Sequence, residues 1–289
     1  MAVHDRLYRP YEGPVTPDWS RFLVITRFAV RDVFRSKLMV VFFTLCFVFP
    51  LAWAAAIYLR HNADLLEFLS SIGEGIHDWI PIDGAFFNIF LRVQGGFAFF
   101  LVLFVGPRLI SRDLANNGLA LYLSRPFSRA EYVAGKVTIL LGLTSLVTWI
   151  PGLLLVLLQF SLEGTEWLSA YPSVPVGVVL GSWGWIVTIS FLALAISAWV
   201  RWRPLAGFFL LMLYFAGDFF AFIVRQLFGT DWGQLVNIRR LARVAWAGLL
   251  DVPLPAGPPP IVAWAALAGI VGVSLLLLHR KIRAYEVVR

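Results

Sequence analysis

The sequence predicts an all-α integral membrane protein. It has six transmembrane helices, an amphipathic N-terminal helix leading into the first, a short cytoplasmic surface helix between the second and third, and an external re-entrant or interfacial helix before the last. Three observations carry this reading. Of 289 residues, 60% are hydrophobic and only 14% charged, where soluble domains hold about a quarter charged residues. Six apolar runs are each close to the roughly 20 residues that take a helix across ~30 Å of hydrocarbon. Lys and Arg collect at one side of those runs.

Residues 1–20, with "YRPYEGPVTP", lack periodicity and read as a cytoplasmic tail; polar and Pro-containing, they predict no cleavable signal peptide. Over 21–37, Arg27, Arg31 and Arg35 recur every four residues while Phe22, Ile25, Ala29 and Val33 fall on another side. That pattern predicts a basic helix lying along the inner membrane surface. Residues 38–289 form a six-span domain, with spans at 38–59, 85–107, 137–158, 174–200, 205–224 and 261–278. A β-barrel would need alternating segments of about ten residues, whereas these apolar runs are continuous.

Orientation follows from the basic residues, which are retained on the cytoplasmic side. Residues 1–37, 108–136, 201–204 and 279–289 carry 18 of the 24 Lys and Arg, which places both termini in the cytoplasm of a protein of the cell's inner (plasma) membrane. The loops at 60–84 and 161–173 are net acidic and external. The 225–259 segment is also external although it holds four Arg. Its stretch 232–250 puts Leu235, Ile238, Ala242, Ala245 and Leu249 on one face of a helix and turns Arg239, Arg240 and Arg243 largely away. "RWRP" at 201–204 leaves room only for a tight turn, so the fourth and fifth spans are antiparallel neighbours.

Within the spans, Cys46 packs in an apolar run, and Trp183, Trp185, Trp199 and Trp202 read mostly as interfacial anchors. Two charges stand at hydrocarbon depth, Arg92 in the second span and Asp218 in the fifth. Each lies about 21–23 Å above the cytoplasmic face at helical rise. Because an isolated charge there is costly, they are expected to form an ion pair joining those spans.

Enzyme chemistry is not indicated. "AEYVAGKVT" resembles a phosphate loop but has Ala130 at the first Gly position and Val137 where Ser or Thr would meet magnesium. His4, His61, His77 and His279 are dispersed, with no metal-binding spacing. The net charge of +7 sits beside span ends, where retention and anionic headgroups account for it without nucleic acid.

The segment "RDLANNGLALYLSRPFSRAEYVAGK", 112–136, is a polar island between apolar spans and is long for a connection between helices. It predicts a short helix on the membrane surface, a turn at Pro126, and a helix restarting toward the third span. With its flanks it resembles the first cytoplasmic loop of type-2 ABC exporter permeases, on Ile110, Ser111, Asp113, Gly118, Arg125, Pro126, Gly135 and Lys136. Asn116 and Asn117 stand where that family often has acidic residues, and Leu119 where it often has Thr. The amphipathic 21–37 helix and six spans resemble the family as well.

That resemblance implies a coupling helix that sits in a groove of a separate ABC ATPase subunit, with Asp113, Asn116, Asn117, Gly118, Leu121, Arg125 and Pro126 as the coupling loop. It implies no cofactor bound directly, ATP and magnesium in the partner subunit, and a second permease copy or paired permease enclosing the path. Export of a substrate is then the expected function. The alternative is a non-transporting membrane anchor that relays ATPase-driven motion to an extracytoplasmic partner on the external segments.

Overall fold

The computed structural model describes residues 17, 20–62, 81–116, 128–200 and 202–282. They are helical with no strand. In chain order they form α1 (Arg21–Val33), α2 (Lys37–Arg60), α3 (Gly84–Leu109), α4 (Ser111–Ala115), α5 (Arg129–Val147) and α6 (Trp149–Glu163). α7 (Thr165–Ala170), α8 (Ser173–Trp199), α9 (Arg203–Phe228), a 3-10 turn (Asp231–Val236), α10 (Ile238–Leu249) and α11 (Pro260–Lys281) follow. Six stretches are long and apolar enough to cross a membrane: Lys37–Arg60, Gly84–Leu114, Arg129–Glu163, Ser173–Trp199, Arg203–Phe228 and Pro260–Lys281. They are consistent with a multi-pass membrane protein. The 60–84 loop, expected to be external, lies mostly outside the described residues.

The third span is longer than the apolar run alone predicts, because α5 begins well before Val137. Ser128 caps it: its Oγ accepts from the Glu131 amide (3.2 Å), and the Ser128 amide donates back to Glu131 Oε2 (2.6 Å). This reciprocal box satisfies two otherwise orphaned donors at the helix start. The span is also broken. Between α5 and α6 the backbone of Thr148 leaves helical geometry (φ −104°, ψ −90°), because Pro151 has no N–H for the Val147 carbonyl one turn back.

α8 is the central helix. It packs against α3, α5, α6, α10 and α11, and its small residues let neighbours approach closely. A Cβ at Gly181 would stand 2.8 Å from the Trp246 ring, and one at Gly95 on α3 would stand 2.7 Å from the same ring. Trp246 therefore enters between α3 and α8. Its Nε1 donates to the Gly181 carbonyl (2.9 Å), while Trp185 Nε1 donates to the Gly95 carbonyl (2.8 Å), and the two indoles meet edge to face. Trp185 is thus a core residue and not the interfacial anchor its position suggested; Trp183, Trp199 and Trp202 are exposed.

This wedge shows how α10 is seated. Ile238, Leu241, Ala242, Val244, Ala245 and Trp246 are buried, so α10 packs into the bundle along this face. Leu235 and Leu249, expected on the buried face, are only half-buried. Elsewhere Gln94, fully buried on α3, donates to the Cys46 carbonyl of α2 (3.1 Å).

Candidate functional site

The flanks of the 112–136 segment converge on one face of the bundle. At the end of α3, Pro107 and the start of α4 form a tight corner held by Ser197 of α8. Ser197 Oγ accepts from the Ile110 and Ser111 amides (3.2 and 3.0 Å) and donates to the Pro107 carbonyl (3.1 Å). A hydroxyl with two acceptor sites and one donor is fully used there. Ser111 Oγ donates to the same carbonyl. A Ser197→Ala variant leaves two buried amides without that acceptor and is expected to lose about 1–3 kcal/mol, read as a lower thermal midpoint in detergent. A midpoint equal to the wild type would remove this clamp from the account.

α4 presents Asp113 to α5. Asp113 Oδ2 accepts from the Tyr132 hydroxyl at 2.7 Å and lies 2.8 Å from Lys136 Nζ. Tyr132 and Lys136 are one turn apart on α5, so both reach the same carboxylate. Lys136 is only 6% exposed. It is therefore not the headgroup anchor that a Lys at a span end suggests, but one half of a buried ion pair joining the two sides of the loop.

α1 docks on the same structure. Thr26 Oγ1 donates to the Gly135 carbonyl (3.1 Å), and a Cβ at Gly135 would lie 3.0 Å from the Phe22 carbonyl, so glycine allows the approach. Ile25, Ala29 and Val33 pack toward the core while Arg27, Arg31 and Arg35 stay exposed. Asp32 pairs with Arg112 at 3.1 Å; with both side chains over half exposed, this contact contributes little. Between α1, the end of α3 and the start of α5 lies a cavity of about 510 Å³, with Phe28, Met39 and Phe104 along its wall and Arg108 and Arg203 at its rim.

Asp113 and Asn116 are the predicted loop residues the structure describes. Asn116 is exposed and closes α4, its amide donating to the Arg112 carbonyl (3.1 Å). Asn117, Gly118, Leu121, Arg125 and Pro126 lie outside the described residues. Among the described residues no group of three or more His, Cys, Asp or Glu could hold a metal ion.

The expected Arg92–Asp218 pair is not formed. Asp218 is contacted instead by Arg239 and by the side-chain Nδ2 of Asn237, both brought in as α10 folds back. Arg92 Nε donates to Asn88 Oδ1 one turn earlier on its own helix (2.8 Å). The expectation that Arg239 faces away from the bundle concealed this partner. Arg239 also lies over the rings of Tyr214 and Phe215 at 5.5 and 5.7 Å, where a guanidinium gains from the ring quadrupoles.

The sequence matches no protein-family model and no curated protein.

Proposed function

We propose that this chain is the membrane permease subunit of an ABC transporter of the type-2 exporter kind. In this reading it lies in the inner (plasma) membrane with both termini cytoplasmic and couples ATP hydrolysis by a separate ATPase subunit to export. The observation that carries the proposal is the anchoring of the 112–136 loop. Its incoming flank is clamped to α8 through Ser197, its outgoing flank to α4 through Lys136 and Asp113, and α1 is fastened to the latter through Thr26. A solvent loop that only connects two spans needs none of these buried polar contacts. A loop that receives force does, because a push on it is then delivered to the second, third and fourth spans together.

The protein offers no nucleotide-binding motif of its own, so ATP and magnesium belong to the partner. α1 acts as the amphipathic helix on the cytoplasmic membrane surface, and the segment from Asp113 through Pro126 as the coupling helix. α9, with 11% of its most apolar window buried, leaves a broad face for a second permease copy or a paired permease.

The test is co-expression with an ATP-binding subunit, which this reading expects among the neighbouring genes. An Arg125→Cys variant is expected to cross-link to that subunit, and ATP hydrolysis by the complex is expected to fall severalfold when Gly118 is replaced by Pro. Reaction of the 125 cysteine with a membrane-impermeant thiol reagent applied outside intact cells would overturn the reading. So would a purified chain that brings down no nucleotide-hydrolysing subunit.

A further inference from the structure

On the opposite side of the bundle from the loop, three arginines converge at membrane depth. Arg92 lies eight residues into α3, about 12 Å from the start of that helix at helical rise. Arg239 and Arg243, one turn apart on α10, join it around a cavity of about 40 Å³ whose walls include Trp185, Tyr214 and Trp246. Asp218 is the carboxylate in contact with this group, and it is engaged by Arg239. Among the described residues no acidic side chain pairs with Arg92 or Arg243. The Nε of Arg239 is buried with no hydrogen-bond partner. Burial, followed by the charges of Arg239 and Arg92, pushes the Arg243 guanidinium below its ordinary range. Three guanidiniums against one carboxylate in an aromatic-walled space form a site short of negative charge.

We propose that this cavity binds a phosphate-type oxyanion. Its size admits about three waters, which suits a tetrahedral headgroup and excludes an acyl chain. Each guanidinium brings a planar fork of donors, and a phosphate offers several oxygens to several forks at once. The aromatic walls exclude water and strengthen the attraction. Arg92 is exposed, so the rest of a larger ligand can extend outward from the cavity past it. Gly96 also lines the space, and a Cβ added there would meet nothing within 4 Å. The ligand is therefore either the headgroup of an anionic lipid or a free phosphate, and this inference does not depend on the coupling proposal.

The experiment uses the full chain in two measurements. Native mass spectrometry from micelles holding equal phosphatidylglycerol and phosphatidylcholine reads lipid retention, and equilibrium dialysis against labelled inorganic phosphate reads the free anion. Preferential retention of phosphatidylglycerol identifies a headgroup site, whereas saturable uptake of inorganic phosphate alone identifies a free-anion site. Arg243→Gln and Arg92→Gln are each expected to weaken that binding about tenfold or more, the loss of one charge-assisted contact. Gly96→Val, which fills the space and leaves every charge in place, abolishes it. Arg240→Gln leaves it unchanged, because Arg240 is turned to the Ala256 carbonyl. The wild type showing neither lipid preference nor phosphate uptake would overturn the proposal. Undiminished binding in either Arg92→Gln or Gly96→Val would do the same, even if Arg243→Gln failed to fold.

Discussion

A Lys136→Met variant loses about 3–5 kcal/mol of stability, the usual consequence of leaving one member of a buried ion pair behind. Lys136 is 6% exposed and its ammonium lies 2.8 Å from Asp113. Methionine keeps the length of the side chain and its packing against α4, so the loss reports the carboxylate, which retains the Tyr132 hydroxyl but no longer has this cation beside it. The double variant Asp113→Asn with Lys136→Met recovers most of the loss, since no net charge then remains buried. Thermal unfolding in detergent measures both. On the coupling proposed above, the single variant also loosens the link between loop and third span, and stimulated ATP hydrolysis is then expected to fall further than stability alone predicts. A Lys136→Met protein as stable as the wild type would show that the pair fastens nothing.

The second large effect is at Trp246. Trp246→Ala removes a side chain that is 5% exposed and wedged between Gly95 and Gly181. It also deletes the hydrogen bond to the Gly181 carbonyl. Truncation of a buried Trp costs about 3–5 kcal/mol when the neighbours cannot collapse into the space, and here two helix backbones already lie against the ring. α10 then loses its seat, and a cysteine placed at Ala242, which is buried in the wild type, becomes reactive to small thiol reagents. Unfolding and labelling both read this. Labelling that stays at the wild-type level would mean that α10 is held by other contacts.

The spans were legible because bilayer thickness sets a length and an apolar composition that the sequence displays directly. The predicted 38–59 run and the observed Lys37–Arg60 helix differ by one residue at each end. The early start of the third span was also written in the chain, as Ser128 and Glu131 three residues apart, a local signal that a count of apolar residues passes over. Partner choice was not legible in the same way. Asp218 sits at a depth that suits Arg92, yet it is taken by Arg239, because α10 folds inward and brings a cation from a segment whose arginines suggest solvent exposure. The burial of Trp185 and Lys136 is hidden in the sequence for a related reason. Both residue types favour the membrane interface, and only tertiary packing reveals that each has a buried partner, the Gly95 carbonyl for one and Asp113 for the other.

The interruption at Thr148 turns the third span from a rod into two levers in series. The first lever is fastened at Asp113; the second ends at Glu163, whose carboxylate meets His61 of α2 at 2.9 Å. On the proposed coupling, a stroke delivered to the first is absorbed as bending at the joint before it displaces the second. The two ends of the molecule can therefore be actuated in sequence, and stiffening the joint, as by Pro151→Ala, would make them move together.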